Sequence, residues 1–179
     1  MFIRQILAGL ALGAPLFAAA SAADAQQGVD AAYLKKLMTG APAQIVRDAT
    51  IARMNNGKMQ TLKQGTNGFT CMVIGGDTPM CADANAMEWA HARATHAAPP
   101  DKTGFIYMLA GDAGVSNTDP FATKPEPGNH WVKTGPHVMI VGAAAKEMAS
   151  YPSAADPNVK DPYVMWPGTP YAHLMLPTK

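Results

Sequence analysis

Apolar positions follow a helical period near the start of the chain and a strand period afterwards. The spacing of five apolar residues before Gly40 predicts a short amphipathic helix over 29–38, and Pro42 begins a second short helix. The alternation then becomes that of strands, with Asn56-Gly57 as a two-residue hairpin turn. Residues 49–75 are therefore predicted to form a three-stranded meander.

The second half of the chain combines one longer helix with short strands and long loops. Asp83 can cap a helix over 83–96, and residues 111–130 carry the turn signals of one long loop. The other predicted elements are strands at 105–110, 131–133 and 137–141, a helix at 143–150, and strand fragments at 163–166 and 172–176. Together they predict a single α+β domain. It has a mostly antiparallel sheet (the N-terminal three-stranded meander plus C-terminal strands), short helices and long Pro/Gly-rich loops.

Residues 1–25 have the three parts of a secretory signal peptide. Arg4 supplies the positive start, an apolar stretch follows, and Ala23-Asp24-Ala25 provides a small-residue cleavage site. The apolar stretch is about 15 residues long, whereas a helix needs about 20 to span a bilayer. Residues 26–179 are therefore predicted to form one exported domain, periplasmic or extracellular, with no membrane span after cleavage.

The composition narrows the classes of partner. Only 15% of the residues are charged and the formal net charge is +1, so the clustered basic excess of a nucleic-acid-binding domain is missing. We therefore expect no nucleic-acid partner. The chain also contains twelve methionines and five histidines, the one feature of the composition that bears on chemistry.

Cys71 and Cys81 are the two cysteines of the chain. In an oxidising compartment, two cysteines that connect the end of a strand to the next helix most simply form a disulfide. The alternative is a pair of thiolates that binds metal or cycles between redox states. That alternative lacks the C-x-x-C spacing of reactive thiols. The sequence therefore predicts a structural disulfide between Cys71 and Cys81.

Two predicted strands carry a histidine and a methionine at the same spacing, in His137-Val138-Met139 and His173-Leu174-Met175. Residues i and i+2 of a strand point to the same face, so each segment places an imidazole beside a thioether. Met165-Trp166 lies just before the second pair. Imidazole and thioether donors suit Cu(I), and an indole ring can add a cation–π contact. The sequence thus predicts a possible copper site formed by His137, Met139, Met165, His173 and Met175, with Trp166 as a shield.

The same residues also have a purely structural explanation. Methionine is a common filler of protein cores, and the sequence alone does not place the two strands side by side. In the Pro-rich tail, Tyr163, Trp166 and Tyr171 either line an apolar ligand-binding cleft or cap the sheet and cover an edge strand. We keep Trp166, Tyr163 and Tyr171 as candidate ligand-binding residues.

An enzyme is the first alternative to a binding protein. The chain has no G-x-S-x-G, G-x-G-x-x-G or phosphate-binding loop. A general base and an orienting carboxylate are still available, with His130 or His137 as the base and Asp112 or Asp119 as the carboxylate. The structural explanation for the two aspartates is that they bond to the backbone of their own turns.

The sequence therefore predicts an exported small binding protein for a small ligand or a soft metal ion such as copper. The alternatives are an enzyme acting on a small exported substrate, and a structural or interaction module of the cell envelope. Metal binding requires the two H-x-M pairs to converge within several ångströms in the fold, and side chains on opposite sides of the sheet would exclude it. An enzyme requires an open pocket with an imidazole and a carboxylate, whereas an interaction module requires a flat, exposed apolar patch.

Overall fold

The structure, a computed structural model, describes residues 29–178, and within them the chain forms four α-helices and ten strands. The helices are α1 (Ala31–Leu37), α2 (Ala43–Asp48), α3 (Ala84–Ala94) and α4 (Ala143–Lys146). The strands are β1 (Thr50–Asn55), β2 (Lys58–Lys63), β3 (Phe69–Ile74), β4 (Thr78–Asp83), β5 (Thr103–Met108), β6 (Val115–Ser116), β7 (Trp131–Val132), β8 (His137–Gly142), β9 (Tyr163–Met165) and β10 (His173–Pro177). The predicted signal peptide lies outside the described residues.

Eight strands form one sheet in the order β2-β1-β3-β4-β5-β8-β10-β9, and β6 pairs with β7 as a separate ribbon. Every pairing within the large sheet is antiparallel except the one between β1 and β3. The α+β class and the mostly antiparallel sheet are therefore confirmed. Strand β6 of this ribbon lies inside the long loop predicted at 111–130, and β7 follows directly after that loop.

The predicted meander is not formed, because β3 pairs with β1 instead of β2 and runs parallel to it. The cause is the segment between β2 and β3. The backbone N–H groups of Thr66 and Asn67 both donate to the carbonyl of Asp48, and that of Gly65 donates to the Thr50 hydroxyl. These bonds hold the chain at the start of β1, so β3 enters the sheet on the β1 side.

Strand β4 is absent from the sequence prediction. It pairs with β3 over six residues, and its first five residues are buried, so it lacks the polar–apolar alternation of a half-exposed strand. Pro79 also argues against a strand, because proline has no backbone N–H to donate to a neighbouring strand. It is not one of the two residues of β4 that pair with β5. The helix after β4 begins as predicted, since the Asp83 carboxylate accepts the backbone N–H of Ala86 at 2.8 Å.

The two faces of the sheet carry separate cores. Helices α1 and α2 cover one face around Leu37, Val46 and Ile51, and helix α3 covers the other, where Trp89 packs against the sheet. The predicted disulfide is confirmed on the first face, where Cys71 and Cys81 occupy directly opposite positions of β3 and β4. A disulfide is compatible with an oxidising compartment, and export itself stays a prediction.

No helix within residues 29–178 is long and apolar enough to cross a bilayer.

Candidate functional site

The two H-x-M pairs lie on neighbouring antiparallel strands, β8 and β10, with Met139 directly opposite Met175. Side chains two residues apart share a face of a strand, so His137 and His173 project from the same face as this methionine pair. All four side chains are buried. The two pairs therefore lie on one face of the sheet with their methionines adjacent, and a metal site there stays a prediction.

The outer strands add one methionine opposite each histidine. Strand β9 places Met165 opposite His173, and strand β5 places Met108 opposite His137. Met165 is a candidate from the sequence, whereas Met108 is not, because only the register between β5 and β8 brings it to this position. The face therefore carries two imidazoles and four thioethers in one continuous block.

His173 is completely buried, and its two ring nitrogens have different surroundings. Nδ1 lies 3.0 Å from the carbonyl oxygen of Tyr171, which can only accept, so Nδ1 carries the proton and donates. Nε2 then has a free lone pair and, among the described residues, no hydrogen-bond partner. Leaving such a buried polar atom without a partner costs about 1–3 kcal/mol, so its surroundings need an explanation.

Two indole rings enclose this imidazole. Trp89 from α3 and Trp166 from the end of β9 both meet the His173 ring edge to face, with centroids 5.2 and 4.8 Å away. The two indoles stack on each other at 6.0 Å. The nitrogen of the Trp89 ring is also buried, with no hydrogen-bond partner among residues 29–178. The cluster is thus aromatic and incompletely satisfied in its hydrogen bonds.

Trp166 is held in a conformation that few residues other than glycine adopt, with φ of 54°. Such a conformation costs roughly 1–3 kcal/mol, so the surrounding contacts must stabilise it. The indole nitrogen donates to the carbonyl of Ser116 at 2.7 Å, and the guanidinium of Arg93 lies 4.8 Å from the ring centroid. Arg93 is itself fixed by two hydrogen bonds to the carbonyl of Pro120.

Burial keeps His173 neutral. Loss of solvation lowers the pKa of His173 to about 4, the bond to Tyr171 opposes this shift, and the positive charge of Arg93 adds to it. At neutral pH the ring is therefore uncharged, which is the form that binds metals.

His137 has the same kind of hydrogen bond as His173, on the other side of the Met139–Met175 pair. Nδ1 of His137 lies 2.7 Å from the carbonyl oxygen of Gly135, and burial lowers the pKa of His137. The neighbouring Asp112 carboxylate accepts the backbone N–H groups of Gly114 and Thr134, and burial raises the pKa of Asp112. The Thr134 hydroxyl shares a 2.8 Å hydrogen bond with the Tyr163 hydroxyl.

The other predicted catalytic residues do not form the expected pairs. Nδ1 of His130 lies 2.9 Å from a carboxylate oxygen of Asp156, and Asp119 accepts the backbone N–H of Phe121 in its own turn. Of these candidates, Asp112 and His137 lie close enough for the charge of each to shift the pKa of the other. A catalytic role for these residues stays a prediction.

The three aromatic residues predicted to bind a ligand, Tyr163, Trp166 and Tyr171, are all buried in the core around α3. The Tyr171 hydroxyl donates to the carbonyl of Ala97 at 2.8 Å. The molecule also has two open depressions of about 430 and 450 Å³, and other residues line them, including Asp119 and Phe121 in the first and Lys36 and Asp77 in the second. A ligand-binding role for the three aromatic residues stays a prediction.

Within residues 29–178, no three His, Cys, Asp or Glu side chains cluster closely enough to hold a metal ion. A metal site on the face of the sheet that α3 covers would therefore have to use methionine sulfur atoms as donors. Comparison of the chain with family models, curated proteins and solved structures finds no significant match. The function is therefore argued from the geometry alone.

Proposed function

We propose that this protein is an exported binding protein for a soft metal ion, Cu(I), which it holds between His173 Nε2 and the thioethers of Met165 and Met175. One observation carries the proposal, namely the completely buried Nε2 atom of His173, which has no hydrogen-bond partner in the part of the chain that the structure describes. A metal ion would supply the missing partner.

The hydrogen bond on the other side of the ring also supports a ligand role. Histidines that bind metals almost always donate the second ring N–H to a carbonyl or carboxylate, which fixes the tautomer and the ring orientation. The carbonyl of Tyr171 occupies that position for His173. The low pKa of His173 means that, at neutral pH, no proton has to leave before an ion binds.

The neighbouring sulfur atoms define the class of ion. Met165 lies directly opposite His173 in the sheet, and Met175 is two residues further along the same strand on the same face. Thioether and imidazole donors without a carboxylate select soft ions such as Cu(I) over Mg²⁺, Ca²⁺ or Mn²⁺. The rings of Trp89 and Trp166, which lie edge to face with the His173 ring, would exclude water and offer a cation–π contact.

The alternatives have less support. Asp112 and His137 are the one candidate acid–base pair that lies close together, yet His137 is 1% exposed, so a substrate has no direct access to its ring. The exposed methionines Met54 and Met59, opposite each other on the β1–β2 hairpin, are the main support for an interaction module. Neither alternative accounts for the unpartnered Nε2 of His173.

Competition with a colorimetric Cu(I) chelator, under anaerobic conditions, tests the proposal. Met165→Leu preserves side-chain volume but removes the sulfur, and His173→Gln removes the imidazole donor. Each is expected to weaken Cu(I) binding by more than the roughly 10- to 100-fold that loss of an outer-shell partner costs. Met72→Leu is the matched control, since Met72 is also buried on this face but lies in β3, three strands away from β8.

The control is expected to bind Cu(I) as the wild type does, and near-ultraviolet circular dichroism verifies that each variant keeps its packed tryptophans. The proposal is wrong if the wild type does not compete with the chelator. It is also wrong if folded Met165→Leu and His173→Gln proteins both keep wild-type affinity.

A further inference from the structure

The donors on this face repeat about a local two-fold axis that passes between Met139 and Met175. These two methionines lie opposite each other, and each strand carries its histidine two residues before its methionine. The outer strands continue the repeat, with Met108 of β5 opposite His137 and Met165 of β9 opposite His173. Each half therefore contains one imidazole and two thioethers.

The hydrogen bonds of the two imidazoles repeat as well. In both histidines Nδ1 bonds to the carbonyl of the residue two positions earlier, Gly135 for His137 and Tyr171 for His173, at 2.7 and 3.0 Å. Because a carbonyl only accepts, both rings carry the proton on Nδ1 and leave Nε2 as a lone-pair donor. The Nδ1 hydrogen bond that orients a metal-binding histidine is thus present twice.

We infer that this face holds two soft metal ions and not one, with the second ion bound by His137, Met139 and Met108. The inference rests on the proposed function, because it extends the same chemistry to the other half of the block.

The spacing of the two histidines argues against one shared ion. Pro177 lies opposite His137, and four residues separate Pro177 from His173 along β10. At about 3.3 Å per residue, this is a separation of about 13 Å along the strand. Metal–nitrogen bonds are about 2 Å long, so two imidazoles that stand side by side on a sheet at this distance cannot reach one ion. The methionine pair lies between them and separates the two positions.

The test is the number of Ag(I) and Cu(I) ions bound per folded chain, measured by equilibrium dialysis followed by elemental analysis. The wild type and Met72→Leu are expected to bind two ions, whereas Met108→Leu is expected to keep the ion at His173 and lose the other. Met165→Leu should show the converse, and the Met108→Leu/Met165→Leu double variant should retain neither ion at the same free concentration.

One ion per wild-type chain, with Met108→Leu still binding one, would overturn the second site while the proposed function stands. No ion bound by the wild type would overturn both. Loss of all binding in a folded Met108→Leu protein would also overturn the inference, because it would indicate a single shared site. Near-ultraviolet circular dichroism identifies the folded variants in each comparison.

Discussion

Cu(I) bound at His173 is expected to raise the free energy of unfolding by about 4 kcal/mol when the free ion exceeds its dissociation constant a thousandfold. The reason is linkage. The proposed donors come from two strands, β9 and β10, and from side chains that meet only in the folded chain, so the ion binds the native state in preference to the unfolded one. The native state also contains an unpartnered buried nitrogen that the ion would satisfy.

Urea unfolding followed by tryptophan fluorescence measures this effect, since Trp89 and Trp166 lie against His173. Ag(I) provides a redox-inert comparison, and the Met165→Leu/His173→Gln double variant provides the control. With either ion, the double variant should lose the part of the shift that the ion at His173 contributes. An equal shift in this variant would place the bound ion elsewhere, and an unchanged midpoint in the wild type would contradict binding to the native state.

Gly104→Ala is expected to lower the free energy of unfolding by about 3 kcal/mol, at the upper end of what overpacking costs. Helix α3 lies directly on β5 at this glycine. A Cβ atom there would stand 2.4 Å from the backbone nitrogen of Ala86 and 2.7 Å from its Cα. Because backbone atoms cannot rotate away as a side chain can, the helix would have to leave the sheet and take Trp89 away from His173.

Gly75→Ala is the matched control for this substitution. A Cβ at Gly75 would meet no atom within 4 Å, and its backbone lies outside the left-handed region. The free energies of unfolding of the two variants, measured with urea, should therefore differ by most of the loss expected for Gly104→Ala. Only Gly104→Ala should alter the near-ultraviolet circular dichroism of the tryptophans. Equal midpoints for the two variants would show that α3 tolerates the added methyl group.

The sequence correctly predicted the features that depend on residues close together in the chain. The Asn56-Gly57 turn adopts positive φ at both positions, as its composition requires, and Asp83 caps α3 through its own side chain. The parallel position of β3 depends instead on bonds from residues 65–67 back to Asp48 and Thr50. No periodicity in the sequence contains that information, so the meander was the natural but wrong prediction.

For the candidate site, too, the sequence predicted what strand geometry alone determines and missed what depends on the pairing of distant strands. The H-x-M spacing was enough to place each histidine and its methionine on one face of a strand, because this follows from strand geometry alone. The pairing of β8 with β10, which brings Met139 opposite Met175, is a property of the folded sheet. Trp89 and Met108 were missed for this reason, since a helix and a distant strand bring them to the histidines.

The coordination of the bound ion tests the central claim most directly. X-ray absorption at the copper edge of the Cu(I)-loaded protein should show one nitrogen and two sulfur neighbours for each copper ion, from one imidazole and two thioethers. The amount of copper with this signature should fall by about half in Met165→Leu, which keeps only the ion at His137, and stay unchanged in Met72→Leu. A spectrum with nitrogen or oxygen neighbours alone would contradict a site made of His173, Met165 and Met175.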